Sequence, residues 1–401
     1  MDNNIENTKE KKSKISSILK VCLIVIITAV ITYFCTVTFT LKAYLNTPGI
    51  TYMSTKMGLI KNKLQATYIY DMNEDKMIES AIKGYVQGIN DPYTQYLPKE
   101  DMENLMESTT GNYVGIGVYM GNNTVKNKVM VLSVIEGSVA ESAGIQAGDY
   151  IIKVDDVEYT GEQLEQLSNA VKGEEGTNVK ITVLRGEEEK EFNILRSNVK
   201  VKTVGGTMID DIGYIQIVSF NEGTAKEFKD CYNQLKSNNP KGLVIDLRNN
   251  GGGLVNESLE IAETMVEKGK TLLIMSDNKS KDKVEKSSAD PIINIPVVLL
   301  INESTASASE ILAGALKDNC NYKIIGTKSY GKGVIQNVFN FSDGTGLKVT
   351  VEEYFTPNRN VINKVGIIPD EEVLLDEEWQ NIANIPYEYD LQLQAAVKSL
   401  K

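Results

Sequence analysis

The sequence predicts an α/β fold in several domains, and three observations carry that prediction. First, apolar runs at 213–220, 243–247, 297–301 and 323–325 alternate with helical periods at 224–235, 254–265 and 308–316. Strand, crossover helix, strand is the pattern of a layered sheet with right-handed connections. Second, residues 97–200 carry short strand-like runs and one or two small helices, the pattern of a compact, partly open barrel. Third, the chain of 401 residues is long enough for two or three domains.

Taken in order, residues 1–17 form a polar tail and 18–42 a transmembrane anchor. Val21 to Phe39 is a stretch of nineteen residues without a charge. As a helix it would run about 28 Å, close to the ~30 Å of a bilayer core. Lys9, Lys11, Lys12, Lys14 and Lys20 precede it. They orient the N-terminus to the cytoplasm and put the rest of the chain outside, so the cell membrane is the expected location. The run exceeds a signal-peptide core and no A-x-A site follows, which favours a retained single-pass anchor over a cleaved leader.

Residues 43–96 read as a helical region, with Met77, Ile78, Ala81, Ile82, Tyr85 and Val86 as a core-facing stripe. The turn Asn90-Asp91-Pro92-Tyr93 closes it. In 97–200, Tyr113, Val114, Gly115, Ile116, Gly117 and Val118 alternate apolar residues with glycine. A strand at 129–134, a short helix ending at Gly144 and strands at 150–154 and 179–184 follow. Within 201–401 the charged stretch 276–290 reads as a surface loop.

A net charge of −12 argues against nucleic acid as a partner. The chain has no histidine, which removes the Ser-His-Asp triad and histidine-ligated zinc. Four cysteines without a CxxC pair give no metal or redox motif; Cys231 and Cys320 are two free thiols or one bridge.

Two residues then stand out. Ser307, in Ser304-Thr305-Ala306-Ser307-Ala308-Ser309-Glu310, follows an apolar strand and opens a helix. Free N–H groups and the helix dipole at that junction favour a developing oxyanion, although a serine there is also an ordinary helix cap. Lys332 lies between Gly331 and Gly333. Lysine can replace histidine as a base only if burial brings its pKa down from ~10.4. A solvated lysine in a glycine-rich turn is the plainer alternative. The third element is Asp246-Leu247-Arg248-Asn249-Asn250-Gly251-Gly252-Gly253, where a strand runs into glycines that expose backbone N–H groups. Two look-alikes fail. Gly326 to Lys332 begins as a phosphate loop, but the next residue is Gly333 rather than Ser or Thr. Ser329-x-x-Lys332 spells a penicillin-binding signature, but its glycines oppose the helix it needs.

Together these residues resemble the carboxyl-terminal processing peptidases, serine endopeptidases with a Ser-Lys dyad. The resemblance runs from about residue 75 to the C-terminus through DPYTQYL (91–97), YVGIGV (113–118), DLRNNGGG (246–253), STASASE (304–310), GKGVIQ (331–336) and GIIPD (366–370). It implies Ser307 as nucleophile, Lys332 as base and Gln336 as the residue that orients the dyad. It implies an oxyanion hole from Ala308 and from Gly252 or Gly253. It makes 97–200 a PDZ domain, with 113–118 binding a peptide's C-terminal carboxylate, and 201–401 the peptidase core. Thr305, Gly251, Val139 and Arg359 depart from the family pattern at positions where it has serine, proline, proline and glycine. The expected activity is endoproteolysis of extracytoplasmic proteins with exposed C-terminal tails, without metal or organic cofactor. The alternative is a catalytically silent PDZ scaffold. Whether the chain forms a homo-oligomer is left open by the sequence.

Overall fold

A computed structural model describes residues 23–39, 48–135, 137–376, 379 and 385–401. Two compact units divide at Met77 and Ile78. In the first, helix α1 (23–39) is apolar and exposed along its length, and α2 (Pro48–Thr67) follows. Among the described residues no helix is long and apolar enough to cross a membrane. The predicted transmembrane anchor at 18–42 is thus not found as a span among the described residues, which include only 23–39 of it; its ends, and the tail 1–17, lie outside them.

Helix α3 (Glu74–Gln87) leads into the second unit. Its apolar stripe does not face a core as predicted. Val86 is buried, whereas Ile78, Ile82 and Tyr85 are exposed. Helical spacing marks a face but cannot say whether another element covers it. Then come β1 (Gln95–Leu97), α4 (Lys99–Thr110), β2 (Asn112–Gly115), β3 (Val118–Asn123) and β4 (Lys128–Val134). After α5 (Val139–Ala143), β5 (Tyr150–Val154), β6 (Val157–Glu158), α6 (Leu164–Val171), β7 (Asn178–Arg185), β8 (Glu188–Leu195) and β9 (Ser197–Lys200) complete this segment. Strands β3, β4, β5, β7 and β8 form one sheet in that order, with β6 added on β5; β2 and β9 form a separate ribbon. A core of its own, including Ile116, Val131, Ile151, Leu167 and Ile181, holds this sheet to α6.

The remaining chain builds two sheets. β10 (Val204–Ile209), β11 (Ile212–Ile217), β12 (Gly242–Asp246), β15 (Val297–Ile301), β16 (Lys323–Gly326) and β19 (Glu371–Glu372) lie in that order; all but β10 are parallel. The helices α7 (Thr224–Lys236), α8 (Val255–Glu263) and α9 (Ala308–Cys320) cover one face through Leu243, Ile245, Leu299 and Ile301. Helix α10 (Leu391–Leu400) covers the other through Val244, Val298 and Leu300. Alternate residues of β12 and β15 thus serve opposite cores, which is why both strands are continuously apolar.

The second sheet comprises β13 (Thr271–Asp277), β14 (Asp282–Lys286), β17 (Val334–Asn340) and β18 (Gly346–Phe355), with β1 also paired on β18. The stretch 276–290, predicted as a loop, is largely a hairpin of β13 and β14 that turns at an Asp277 side chain accepting from the peptide N–H groups of Lys279 and Lys281. Charge density signalled exposure there and concealed an edge hairpin. Cys231 and Cys320 are free thiols.

Candidate active site

The parallel strands β11, β12 and β15 end side by side, and the loops after them meet. Ser307 sits where the loop after β15 turns into α9, with φ 57° and ψ −117°. Such a conformation costs a residue with a Cβ about 1–3 kcal/mol and persists only when its surroundings enforce it. The enforcement is visible. Thr305 Oγ1 donates to the Leu247 carbonyl (2.8 Å), and Ala306 N–H donates to the Asn250 carbonyl (3.0 Å). Ser307 N–H donates to the Glu310 carboxylate (2.9 Å), one half of a capping box at this helix start. Thr305, one of the departures from the family pattern, keeps a hydroxyl at the position that ties this turn to β12.

The glycine loop after β12 lies against the same turn. A Cβ on Gly252 (φ 104°) would stand 2.8 Å from the Ser307 Cβ and 3.0 Å from Ala308 N, so only glycine permits this approach. The Gly252 N–H is already donated to the Asn250 side chain (2.9 Å). Neither Gly253 N–H nor Ala308 N–H has a protein acceptor among the described residues. Of the two glycines predicted for an oxyanion hole, Gly253 therefore has the available donor. Asn250, which sequence reasoning passed over, braces the loop by donating to the Ile217 carbonyl (2.8 Å) and accepting from Ser309 Oγ (2.9 Å). Behind it Arg248 is buried between Asp246 and Asp390, with guanidinium contacts of 2.6 and 2.8 Å; Asp390 also caps α10.

Lys332 lies between β16 and β17. A Cβ on Gly331 would meet Gly366 N at 3.0 Å, and one on Gly333 would meet Asn363 N at 2.2 Å. The flanking glycines thus allow a close backbone approach on both sides of Lys332. Two buried residues tie this loop to the Ser307 turn. The Glu310 carboxylate, fully buried, accepts from Ser307 N–H (2.9 Å), Lys332 N–H (2.9 Å), Gly331 N–H (2.7 Å) and Ser329 Oγ (2.5 Å). The Tyr354 hydroxyl lies between the carbonyls of Ser307 (3.1 Å) and Lys332. Burial holds that phenol well above its usual pKa of 10.0, with the Glu310 charge adding to the shift, so it stays a donor. Glu310 was legible, since Ser307-x-x-Glu310 is a capping-box spacing; Tyr354 had no local signal.

The side chains of the predicted dyad are less joined than their backbones. No hydrogen bond links Lys332 Nζ to Ser307 Oγ among the described residues. The amine lies 4.9 Å from the centroid of the Tyr93 ring. Gln336 donates to Thr350 Oγ1 (3.3 Å) and is not brought onto Lys332. Burial, and then the positive charge of Lys348, lowers the Lys332 pKa below 10.5; Glu310 and Asp91 oppose the shift.

The residues Tyr113 to Val118 all line one cavity of about 340 Å³, to which Ser168, Val171 and Lys172 from the α6 end also contribute. The carbonyls of Ile116 and Gly117 accept from Ala140 and Ile135, while the N–H groups of Ile116 and Gly117 have no protein acceptor among the described residues. Gly117 (φ 83°) passes so close to Ser138 that a Cβ would lie 2.4 Å from the serine Cβ. Arg359, at a position where the family pattern has glycine, adopts φ 64° and is ion-paired with Asp282.

Known proteins share this organisation. Residues 211–373 match peptidase family S41, and 130–185 match the PDZ domain. A CtpA-like serine protease of Staphylococcus haemolyticus is 34% identical over 393 residues, covering 96% of this chain and 79% of that protein. One from Staphylococcus aureus strain MRSA252 is 37% identical over 326 residues, with 80% of this chain matched to 65% of the relative's length. The crystal structure of an S41 protease from Bacteroides fragilis NCTC 9343 superposes with a TM-score of 0.53 at 14% identity, covering 83% of this chain and 92% of the other, which supports the fold. With that extent of identity, and with a PDZ domain preceding the sheet that carries Ser307, the chain belongs to peptidase family S41 as a CtpA-like serine protease.

Proposed function

We propose that this peptidase cleaves peptide bonds with a Ser307–Lys332 dyad, acting on proteins recruited by their C-terminal tails. The observation that carries the reading is Glu310. One buried carboxylate binds the peptide N–H groups of both Ser307 and Lys332, so the two backbones cannot separate without stranding a charge. Ser307 Oγ attacks the substrate carbonyl while the neutral amine of Lys332 takes its proton. The N–H groups of Gly253 and Ala308 receive the oxyanion. Lys332 then protonates the leaving amine, and water releases the acyl group. The free N–H groups of Ile116 and Gly117 supply the nest for a tail's terminal carboxylate, and the apolar cavity takes its last side chain. The test is cleavage of an unstructured protein, casein, and of a peptide ending in an apolar residue. Ser307→Ala and Lys332→Ala should each abolish turnover with unchanged folding; wild-type-like turnover by Lys332→Ala refutes the dyad.

The unbonded side chains of Ser307 and Lys332 favour a second reading, a silent scaffold that binds tails. Tail binding by the wild-type chain without any cleavage of casein would establish it.

We further infer a retained anchor with the peptidase outside the cytoplasmic membrane. Thr28, Thr32, Thr36 and Thr38 each donate a hydroxyl back to the carbonyl four residues earlier in α1, so the polar groups of this apolar helix are satisfied internally, as a bilayer requires. Release from membranes by alkaline carbonate, or protection of the catalytic unit from external protease in spheroplasts, would refute it.

A further inference from the structure

We propose that the ring face of Tyr93 is the resting seat of the Lys332 amine, a latch that holds the protonated base away from Ser307 and releases it when the proton leaves. The inference rests on the Ser307–Lys332 reading above and concerns a positioning residue rather than a catalytic one.

The geometry comes first. Lys332 Nζ lies 4.9 Å from the Tyr93 ring centroid, within the distance at which an ammonium is attracted by the negative face of an aromatic ring. That attraction belongs to the cation; a neutral amine has almost none of it. The same amine makes no hydrogen bond to Ser307. The turn that carries the ring is tied internally and to β18. Tyr93 N–H donates to Asp91 Oδ1 (3.1 Å), and Thr94 Oγ1 donates to Asp91 Oδ2 (2.6 Å). Thr350 N–H donates to Thr94 Oγ1 (3.1 Å), and Thr350 Oγ1 holds Gln336 (3.3 Å). One turn therefore seats the amine directly and, through Thr350, the glutamine expected to orient it.

Other groups around the amine decide how readily the latch opens. From β18, Lys348 repels the ammonium. From α9 and the 91–94 turn, Glu310 and Asp91 attract it. Tyr354 is engaged with backbone carbonyls and stays neutral. Burial and the neighbouring Tyr330 push the Tyr93 phenol up to about 12, so the ring meets the amine as a neutral phenol through the working range. Burial together with the Lys348 charge outweighs the attraction of Glu310 and Asp91, and the amine loses its proton more easily than a solvated lysine. Once that proton passes to solvent, nothing ties Nζ to the ring, and the lone pair can accept the Ser307 hydroxyl as the Oγ–carbon bond forms.

The test is the pH dependence of kcat/KM for the full chain on a tail-bearing peptide. Tyr93→Phe keeps the ring and should leave the midpoint of the acid limb in place. Tyr93→Leu keeps apolar cover but removes the face. The midpoint should fall by about 0.5–1 pH unit, which is a three- to tenfold gain on the acid limb. Installing 3,4,5-trifluorophenylalanine at 93 preserves shape and weakens the ring's negative face, so its midpoint should also fall relative to Phe; this arm keeps the test decisive if Tyr93→Leu folds poorly. Midpoints that coincide for Phe and its trifluoro analogue, or a Tyr93→Leu profile lowered uniformly or moved upward, overturn the latch. Lys332→Ala separates the two readings. If it is inactive while the position-93 profiles coincide, the dyad stands and the latch falls; if it turns over normally, the dyad itself falls.

Discussion

The turn that carries Ser307 and the loop that carries Lys332 are built to different tolerances. At Ser307 the backbone itself is held in a disfavoured conformation, and its N–H, its carbonyl and the neighbouring Thr305 and Ala306 are all bonded. A serine has one rotatable bond to its hydroxyl, so fixing the backbone nearly fixes the reacting atom. At Lys332 the backbone is held as firmly, by Glu310 and Tyr354, but four methylenes separate it from the amine. The fold therefore sets where the Lys332 side chain starts and leaves the end point of its amine to weaker forces. Readiness of the site is a question about one side chain, not about the separation of two loops.

The strongest way to break this arrangement is to remove the brace common to both halves. Glu310→Ala leaves buried donors from Ser307, Gly331, Lys332 and Ser329 without an acceptor. Stability should fall by about 3–5 kcal/mol in urea titration, and turnover should fall by at least about a hundredfold even at temperatures where the variant is folded. Glu310→Gln keeps the volume and one acceptor oxygen; an intermediate loss in both measurements would assign the remainder to charge. Full activity in either variant would mean the two loops are positioned by something else.

Next in size is Gly252→Ala. The added Cβ would overlap Ser307 Cβ and the Ala306 carbonyl, each 2.8 Å away, at a φ of 104° that alanine disfavours. We expect about 1–3 kcal/mol of destabilisation and a kcat drop of about tenfold or more with KM little changed, because the nucleophile rather than the tail groove is displaced. Gly117→Ala offers the contrasting case. Its Cβ would strike Ser138 beside the peptide cavity, so KM for a tail-bearing peptide should rise while turnover of a short peptide without a tail is retained. Equal loss on both peptides would show the groove and the catalytic corner to be one cooperative unit. Tyr354→Phe should cost less, about 1 kcal/mol for a buried hydroxyl lost from two carbonyls, read as a lowered thermal midpoint.

How much of this was written in the sequence follows the same division. The parallel strands, their crossover helices and the turns at Ser307 and Gly252 were legible, because apolar periodicity and glycine placement act locally. Tyr113 to Val118, picked out by their apolar–glycine alternation, line one cavity. β14 and β17 were missed, since their charged or half-exposed residues carry no burial pattern, and β13 was missed although Leu272, Leu273 and Met275 are buried in the core; α10 was missed because it packs on the far face of the sheet, remote in sequence from the strands it covers. Within the site, Glu310 could be read from its spacing to Ser307. Tyr354, Asn250 and the seat of Lys332 on Tyr93 could not, because each joins segments tens to hundreds of residues apart through side chains that look ordinary in their own neighbourhoods. The choice between Gly252 and Gly253 as donor also needed the structure: it turns on which N–H the Asn250 side chain already occupies.

The smallest expected effect bears most directly on the loosely set half. Burial is the main force that lowers the Lys332 pKa, and the charge of Lys348 is the next. A like charge disfavours the ammonium, so replacing Lys348 with methionine, which keeps the apolar stem, should make the amine harder to deprotonate. Under the proposed dyad, in which the neutral amine is the active form, the acid limb of kcat/KM should move to higher pH by about half a unit, with full activity recovered above it. Lys348 is partly open to solvent, so the shift should shrink as salt screens the pair. A shift to lower pH would show that the charge at 348 acts on the substrate rather than the base. A loss independent of both pH and salt would place its role in the packing of β18 against β1, and the amine's poise would then rest on burial and on the ring at position 93.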